Sequence, residues 1–275
     1  MPDFVYHYTS LEALVGILKK EEVKDSKEKI KDSSSLVFWG SRYDSMNDPQ
    51  DYLFASQVVL PKIMDAIKNS EDLTEVQKET NTLFPYIVSF SENKDDESMW
   101  TNYNADICLK IDTKYLSPWI QEGEIITGFW GKCEYAKEED LDEAFFKKWK
   151  NSIQYIENIS SMAQHACVYI KRYNFRQENE WRLYMGDEIL PQPCLDGTVY
   201  NTETPQNVKV KCIRNKDIVF YKEFKINGEA LKGIVVNDVD YEHFSRVKKH
   251  LEILLVSRGF NPTQIKIEQT NRYPF

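Results

Sequence analysis

Cysteine, glycine and histidine are all scarce in this chain, and each scarcity removes a class of protein. Its five cysteines (Cys108, Cys133, Cys167, Cys194 and Cys212) are odd in number and widely spaced. Without a C-x-x-C pair they indicate neither a disulfide framework nor a zinc site. Ten glycines leave no G-x-x-x-x-G-K-S/T loop and no G-x-S-x-G elbow, so P-loop and serine-hydrolase readings lose their support. The four histidines form no H-E-x-x-H; His243 and His250 stand seven apart on an expected helix. No apolar run approaches the ~18–20 residues that span a bilayer. Met1 to Leu18 reads as a strand plus an amphipathic helix, not as a charged-then-apolar leader. A cytoplasmic protein without membrane association is the expectation.

Acidic residues and aromatics are plentiful. The formal net charge is -9 over 275 residues, which makes an extended nucleic-acid duplex an unnatural partner, because phosphate backbones are held by clustered Lys and Arg. A hydrophobic fraction of 41% with 13% aromatics is ample for a core.

Periodicity predicts an α+β fold in a single domain over residues 1–275, with a mixed or mainly antiparallel β core flanked by helices. Thr9 followed by Glu12 is a capping-box pattern that opens a helix carrying Leu11, Leu14, Val15 and Leu18 on one face. Residues 19–35, rich in Lys, Glu, Asp and Ser, read as the tail of that helix and a solvated loop. Strands are expected near 36–41, 86–91, 107–111 and 180–185, and again near 208–213, 217–221, 233–236 and 264–268, with a strand or hairpin at about 124–136. Helices are expected near 50–69, 73–83, 98–103 and 240–257. Leu141, Phe145, Trp149, Ile153, Ile156, Ala163, Ala166 and Ile170 follow a 3.6-residue period, predicting one long helix at about 139–172. Residues 187–207, with three prolines and a glycine, read as a long loop or flap.

The chemistry-bearing residues fall at strand ends and in turns, where separate elements converge. They are His7 and Tyr8, Ser41, Asn47 and Asp48, Ser89 and Ser91, Trp100, and Glu178, Glu180 and Arg182. A histidine between two tyrosines at the end of a first strand is of little use to a buried core. The set suits breakage of an N-glycosidic bond, in which an oxocarbenium-like sugar develops positive charge beside a carboxylate. In that reading Glu180 is the carboxylate and Glu178, two residues away on the same strand, shares its face. His7 and Ser89 hold ribose hydroxyls, and Tyr8 or Trp100 stacks the base. Each piece also has a structural reading. The E-x-E pair could form salt bridges with Arg176 or Arg182, His7 could be a hydrogen-bonded core histidine, Met99 and Trp100 could be core anchors, and Asn47-Asp48-Pro49 could be a turn.

Taken together, Tyr6-His7-Tyr8-Thr9-Ser10, Trp39-Gly40-Ser41 with Asn47-Asp48-Pro49, Ser89-Phe90-Ser91 with Met99-Trp100, Glu178 to Leu183 and the ending Asn271-Arg272-Tyr273-Pro274-Phe275 resemble the bacterial family called domain of unknown function 2971. That resemblance covers nearly the whole chain and implies no particular activity. The His-Tyr on a first strand followed by a helix, with Glu180 on a late strand, is also similar to ADP-ribosyltransferases. This second resemblance implies that His7 holds NAD as substrate and that Glu180 is catalytic; Ser89-Phe90-Ser91 only approximates the middle-strand S-T-S of those enzymes.

Three functions are therefore open. The first is an NAD-dependent ADP-ribosyltransferase or NAD glycohydrolase. The second is a non-catalytic module binding a nucleotide or a protein segment. The third is a nuclease or hydrolase using Asp48, Glu178 and Glu180 around a divalent metal. The first requires His7 and Glu180 to share one cleft.

Overall fold

The computed structural model describes residues 1–24, 30–43, 46, 49–66, 85–116, 128–152, 159–185, 209–212 and 218–271. It is an α+β fold built on a curled, mainly antiparallel sheet of eleven strands. The strands are β1 (Phe4–Thr9), β2 (Leu18–Lys24), β3 (Ile30–Arg42), β4 (Tyr86–Ser91), β5 (Ile107–Asp112), β6 (Gly128–Lys132), β9 (Glu180–Met185), β10 (Lys209–Cys212), β11 (Ile218–Asn227), β12 (Leu231–Val236) and β13 (Lys266–Gln269). Among the described residues only β12 and β13 run parallel within it. Two short strands, β7 (Glu134–Ala136) and β8 (Ile170–Arg172), pair in parallel outside the main sheet.

β4 is the hinge of the topology. One edge pairs along its full length with β9, from Tyr86↔Met185 to Ser91↔Glu180. The other edge is divided: β3 pairs only through Ser41↔Ile87 and Arg42↔Tyr86, and β1 only through Tyr6↔Ser91. The sheet is thus split opposite Val88–Phe90. Beyond the split β1 continues to β5, β12 and β13, whereas β3 continues to β2, β11 and β10.

Both faces of this sheet are covered, which is why β9 is buried at all six positions and not at alternate ones. Tyr86, Val88 and Phe90 of β4 join one core with Phe38, Trp181 and Leu183. It is closed by α1 (Leu11–Ile17) through Leu14 and Ile17, and by α7 (Tyr241–Ser257) through Phe244, Leu251 and Leu255. Ile87 and Tyr184 face the other way. There they meet α2 (Pro49–Phe54), a π-helical stretch (Ala55–Val59), α3 (Leu60–Ala66), α5 (Glu143–Ser152) and α6 (Ile159–Tyr169). On the same second face α4 (Glu97–Tyr103) packs Met99 and Trp100 on Tyr8 and Cys108.

Several boundaries differ from the sequence reading. The cap of α1 is Ser10, whose Oγ accepts from Ala13 N, while Thr9 is still strand. Residues 18–24 are not a helix tail: they pair with 30–36 as an antiparallel hairpin, anchored where fully buried Leu18 faces fully buried Leu36. The expected long helix appears as α5 and α6; residues 138–140 form a 3₁₀ turn before it, and 170–172 turn into β8. Residues 153–158, the predicted helix at 73–83 and the predicted flap at 187–207 lie outside the described residues. No helix among the described residues is long and apolar enough to cross a membrane.

Candidate functional site

Strand pairing decides which predicted residues can meet, because directly paired residues point to the same face and successive ones alternate. Ser91 is paired with both Tyr6 and Glu180, so these three share the second face. Ser89 is opposite Arg182 and Ser41 is opposite Ile87, which adds Ser89, Arg182 and Ser41 to it. Tyr8 and Trp100 pack there too. His7 lies one residue from Tyr6 and faces the other way, with its ring edge-on to Phe38 at 5.0 Å and tilted against Phe90 at 5.4 Å. The single cleft expected to join His7 to Glu180 is therefore not formed: a sheet one strand-layer thick stands between them. Asn47 and Asp48 lie outside the described residues.

The second face holds a buried cluster of five charges. Glu180 Oε1 accepts from Arg182 Nε at 2.9 Å, and its Oε2 accepts from Lys171 Nζ at 2.6 Å and Arg182 NH2 at 3.2 Å. Lys171 also donates to Glu178 Oε2 at 2.8 Å and lies 3.3 Å from Asp51 Oδ2, which pairs with Arg182 as well. The remaining arm of Arg182 donates to the Val168 carbonyl at 2.5 Å. Glu180 is 2% exposed and Arg182 fully buried. Burial raises the pKa of Glu180, but Arg182 and Lys171 outweigh it and hold the carboxyl at about 2. Burial also raises Glu178; Lys171 offsets this only in part, and Glu180 adds to the rise. Two carboxylates two residues apart are thus driven in opposite directions.

Glu178 is not on the strand, as its spacing from Glu180 suggested. It ends a 3₁₀ turn over Tyr173–Glu178, and Asn179, in the left-handed region at φ 44°, swings the chain into β9. Asparagine tolerates that conformation better than most residues. The turn is stitched to the end of β4: Ser91 Oγ donates to the Glu178 carbonyl at 2.6 Å and accepts from Asn93 N at 2.9 Å. Asn93 Nδ2 donates to the Gln177 carbonyl at 2.6 Å.

Most other predicted ligand contacts have structural occupations. Tyr8 OH donates to the Asn93 carbonyl at 2.8 Å and accepts from Asp96 N at 3.0 Å. Trp100 is not a base-stacking platform: it is 2% exposed, packs edge-on against Tyr8 at 4.9 Å and donates Nε1–H to Asp95 Oδ1 at 2.9 Å. The space between the carboxylates, where a divalent metal would sit in the third reading, is filled by the Lys171 ammonium. No group of three or more His, Cys, Asp or Glu that could hold a metal ion occurs among the described residues.

The first face carries a different arrangement. From β1 to β6 a row of rings crosses the sheet: His7 against Phe90, Phe90 against Trp130 at 5.5 Å, and Trp130 stacked on Trp181 at 5.1 Å. His7 reaches across the split in the sheet, with Nδ1 2.9 Å from the Ser89 carbonyl. A carbonyl only accepts, so Nδ1 carries the proton and Nε2 keeps its lone pair. Burial lowers the pKa of His7, with the Ser89 carbonyl acting the other way, so the neutral ring is favoured. Nε2 has no partner among the described residues. Trp130 Nε1 is buried without a hydrogen-bond partner among the described residues, a state that native structures rarely leave unfilled. At the far end of the row Glu92 Oε1 accepts from both Trp181 Nε1 and Lys132 Nζ at 2.8 Å.

Sequence reasoning missed Asp51, Lys171, Trp130 and Trp181. An E-x-E-x-R segment with both faces covered needs counter-charges, and that requirement was the available signal for a buried lysine and a further acid. In comparisons with protein-family models, with curated proteins and with solved structures, nothing matches this chain. The resemblances stated above therefore rest on the quoted residues alone.

Proposed function

We propose that the protein binds a nucleotide-like small molecule on the aromatic row of the first face. The observation that carries this reading is a pair of polar groups on that row left unfilled by the described residues: a buried Trp130 N–H without an acceptor and a His7 Nε2 fixed as an acceptor by the Ser89 carbonyl. Of the rings in this row His7 and Trp130, which are only partly buried, supply stacking area for a base or nicotinamide, and one donor with one acceptor supplies orientation. The charged cluster on the opposite face then serves as a structural clamp. Cleavage of an N-glycosidic bond by Glu180 gains no support, since its oxygens are occupied by Arg182 and Lys171 and it faces away from His7.

Tryptophan fluorescence and calorimetry with NAD, ADP-ribose, AMP and adenosine test the reading. At least one is expected to bind saturably. Trp130→Phe, which keeps a ring but loses the donor, and His7→Ala are each expected to weaken it by about tenfold, the loss of one hydrogen bond of roughly 1.4 kcal/mol. Binding by none of the four, or binding indifferent to both substitutions, would sink the proposal. Nicotinamide release from NAD that Glu180→Gln abolishes in a folded protein would replace it with the glycosidic reading.

A further inference from the structure

Among the described residues the charges of the buried cluster do not balance. Asp51, Glu178 and Glu180 carry three negative charges against the two positive charges of Lys171 and Arg182, in a place where none of the five residues is more than 8% exposed. A net charge left in such surroundings is costly unless something neutralises it. Glu180 and Asp51 are each engaged by both cations, whereas among the described residues the Glu178 carboxylate pairs with Lys171 alone, and Glu178 is the most exposed of the five. We propose that the cluster is a proton-binding site: Glu178 takes up the proton that balances its charge, and loss of that proton loosens the Tyr173–Glu178 turn.

The groups that face Glu178 come from every element packed around it. They are Lys171 of β8, Glu180 and Arg182 of β9, Asp51 of α2 and Tyr103 of α4, whose hydroxyl is held protonated by burial and then by Glu180 and Glu178. Of these, two carboxylates repel a second negative charge and Lys171 attracts it, with Lys171 already shared three ways. Burial and Glu180 push the Glu178 carboxyl upward, in agreement with the charge count. A carboxyl whose pKa is raised on folding stabilises the fold fully below the ordinary carboxylate range. That contribution is lost as pH rises through the raised value. The mechanical output is local: the turn is tied to β4 through Ser91 Oγ, the Asn93 amide and the Asn179 amide. The repulsion is thus exerted on a segment held by a few side-chain bonds and not by a strand ladder.

The test is the pH dependence of stability in the full chain and in Glu178→Gln, which fixes residue 178 in the uncharged state. Unfolding midpoints are expected to coincide at pH 4, whereas at pH 8 the variant is expected to melt higher than the parent. Hydrogen exchange at residues 173–179 is expected to quicken with pH, beyond the intrinsic rate increase, in the parent alone. A variant less stable than the parent at pH 8 would show that Glu178 works as an ionised partner of Lys171 and would overturn the proposal. So would stabilisation of the parent by potassium or sodium that Glu178→Gln abolishes, because a cation and not a proton would then balance the cluster. Should Glu178→Gln fail to fold, the carboxyl of Glu178 in the parent, followed by carbon-detected NMR, must titrate above the ordinary range for the inference to stand.

Discussion

Replacing Arg182 by methionine is expected to cost about 3–5 kcal/mol of folding stability, the usual penalty for removing one partner of a buried charge network. Arg182 is fully buried in the middle of β9, and its guanidinium is the common partner of Glu180, Asp51 and the Val168 carbonyl. Methionine fills much the same volume but takes away the donors to Glu180 Oε1 and the Val168 carbonyl, and Lys171 alone would face three carboxylates. Domains of ordinary stability hold only about 5–15 kcal/mol in total, so the variant should unfold at a much lower urea concentration, read by circular dichroism. Glu180→Gln should cost less, because one side-chain oxygen remains to accept from a neighbour. A change in the Arg182 variant within about 0.5 kcal/mol of zero, the range of ordinary surface substitutions, would mean that water reaches the cluster and that it clamps nothing.

The same substitution separates the clamp from the proposed ligand site. Arg182 and Ser89 are cross-strand partners, and the Ser89 carbonyl holds the tautomer of His7 on the opposite face. Damage to the clamp should therefore reach ligand binding only by loosening β4. Trp130→Phe should lower affinity at a smaller stability cost than Arg182→Met, since the N–H it removes makes no bond among the described residues and the loss is confined to ring packing on Phe90 and Trp181.

What could be read from the sequence depended on how local the signal was. Tyr86–Ser91 and Glu180–Met185 were found at their true limits, because β-branched and aromatic runs between polar breaks mark buried strands without reference to the rest of the chain. The hairpin formed by β2 and β3 was missed, since Lys19-Lys20-Glu21-Glu22 and Asp32-Ser33-Ser34-Ser35 show no apolar alternation and are held by their ladder. Ser10 displaced Thr9 as the helix cap because β1 runs one residue further than the capping-box spacing implied. For the site, residue types were legible and sidedness was not. Ser89, Ser91, Glu180 and Arg182 share the second face, whereas His7 falls on the other because a register of one residue decides the side in a strand. Asp51 and Lys171 lie 120 residues apart in the chain and meet only through the packing of α2 on β8, which no local pattern encodes.

Gly40 tests the register of that split sheet directly, and the sign of its effect is informative. In a strand interior, alanine ordinarily beats glycine, because glycine loses more chain entropy on folding, by roughly 0.5–1 kcal/mol in regular structure. Here a Cβ on Gly40 would lie 2.1 Å from Cε2 of Phe224. Phe224 is paired with Phe38 across β3 and β11, only 1% exposed, and its ring lies over the bare backbone of Gly40, which is paired with Lys222. The ring cannot withdraw freely, since Phe38 beside it packs edge-on against both Phe90 and His7. Gly40→Ala is therefore expected to destabilise the protein by about 1–3 kcal/mol, the cost of overpacking, reversing the ordinary preference. Phe224→Leu alone should also destabilise, by leaving a gap. The two together should cost less than the sum of the singles, because leucine vacates the space that the new methyl needs, and neighbours in contact couple by roughly 0.5–3 kcal/mol. Urea unfolding of the two singles and the double gives the coupling. A stabilising Gly40→Ala, or additivity across the cycle, would show that β3 and β11 are paired in another register, and with it that the aromatic wall from Phe224 through Phe38 to His7 is wrongly assembled.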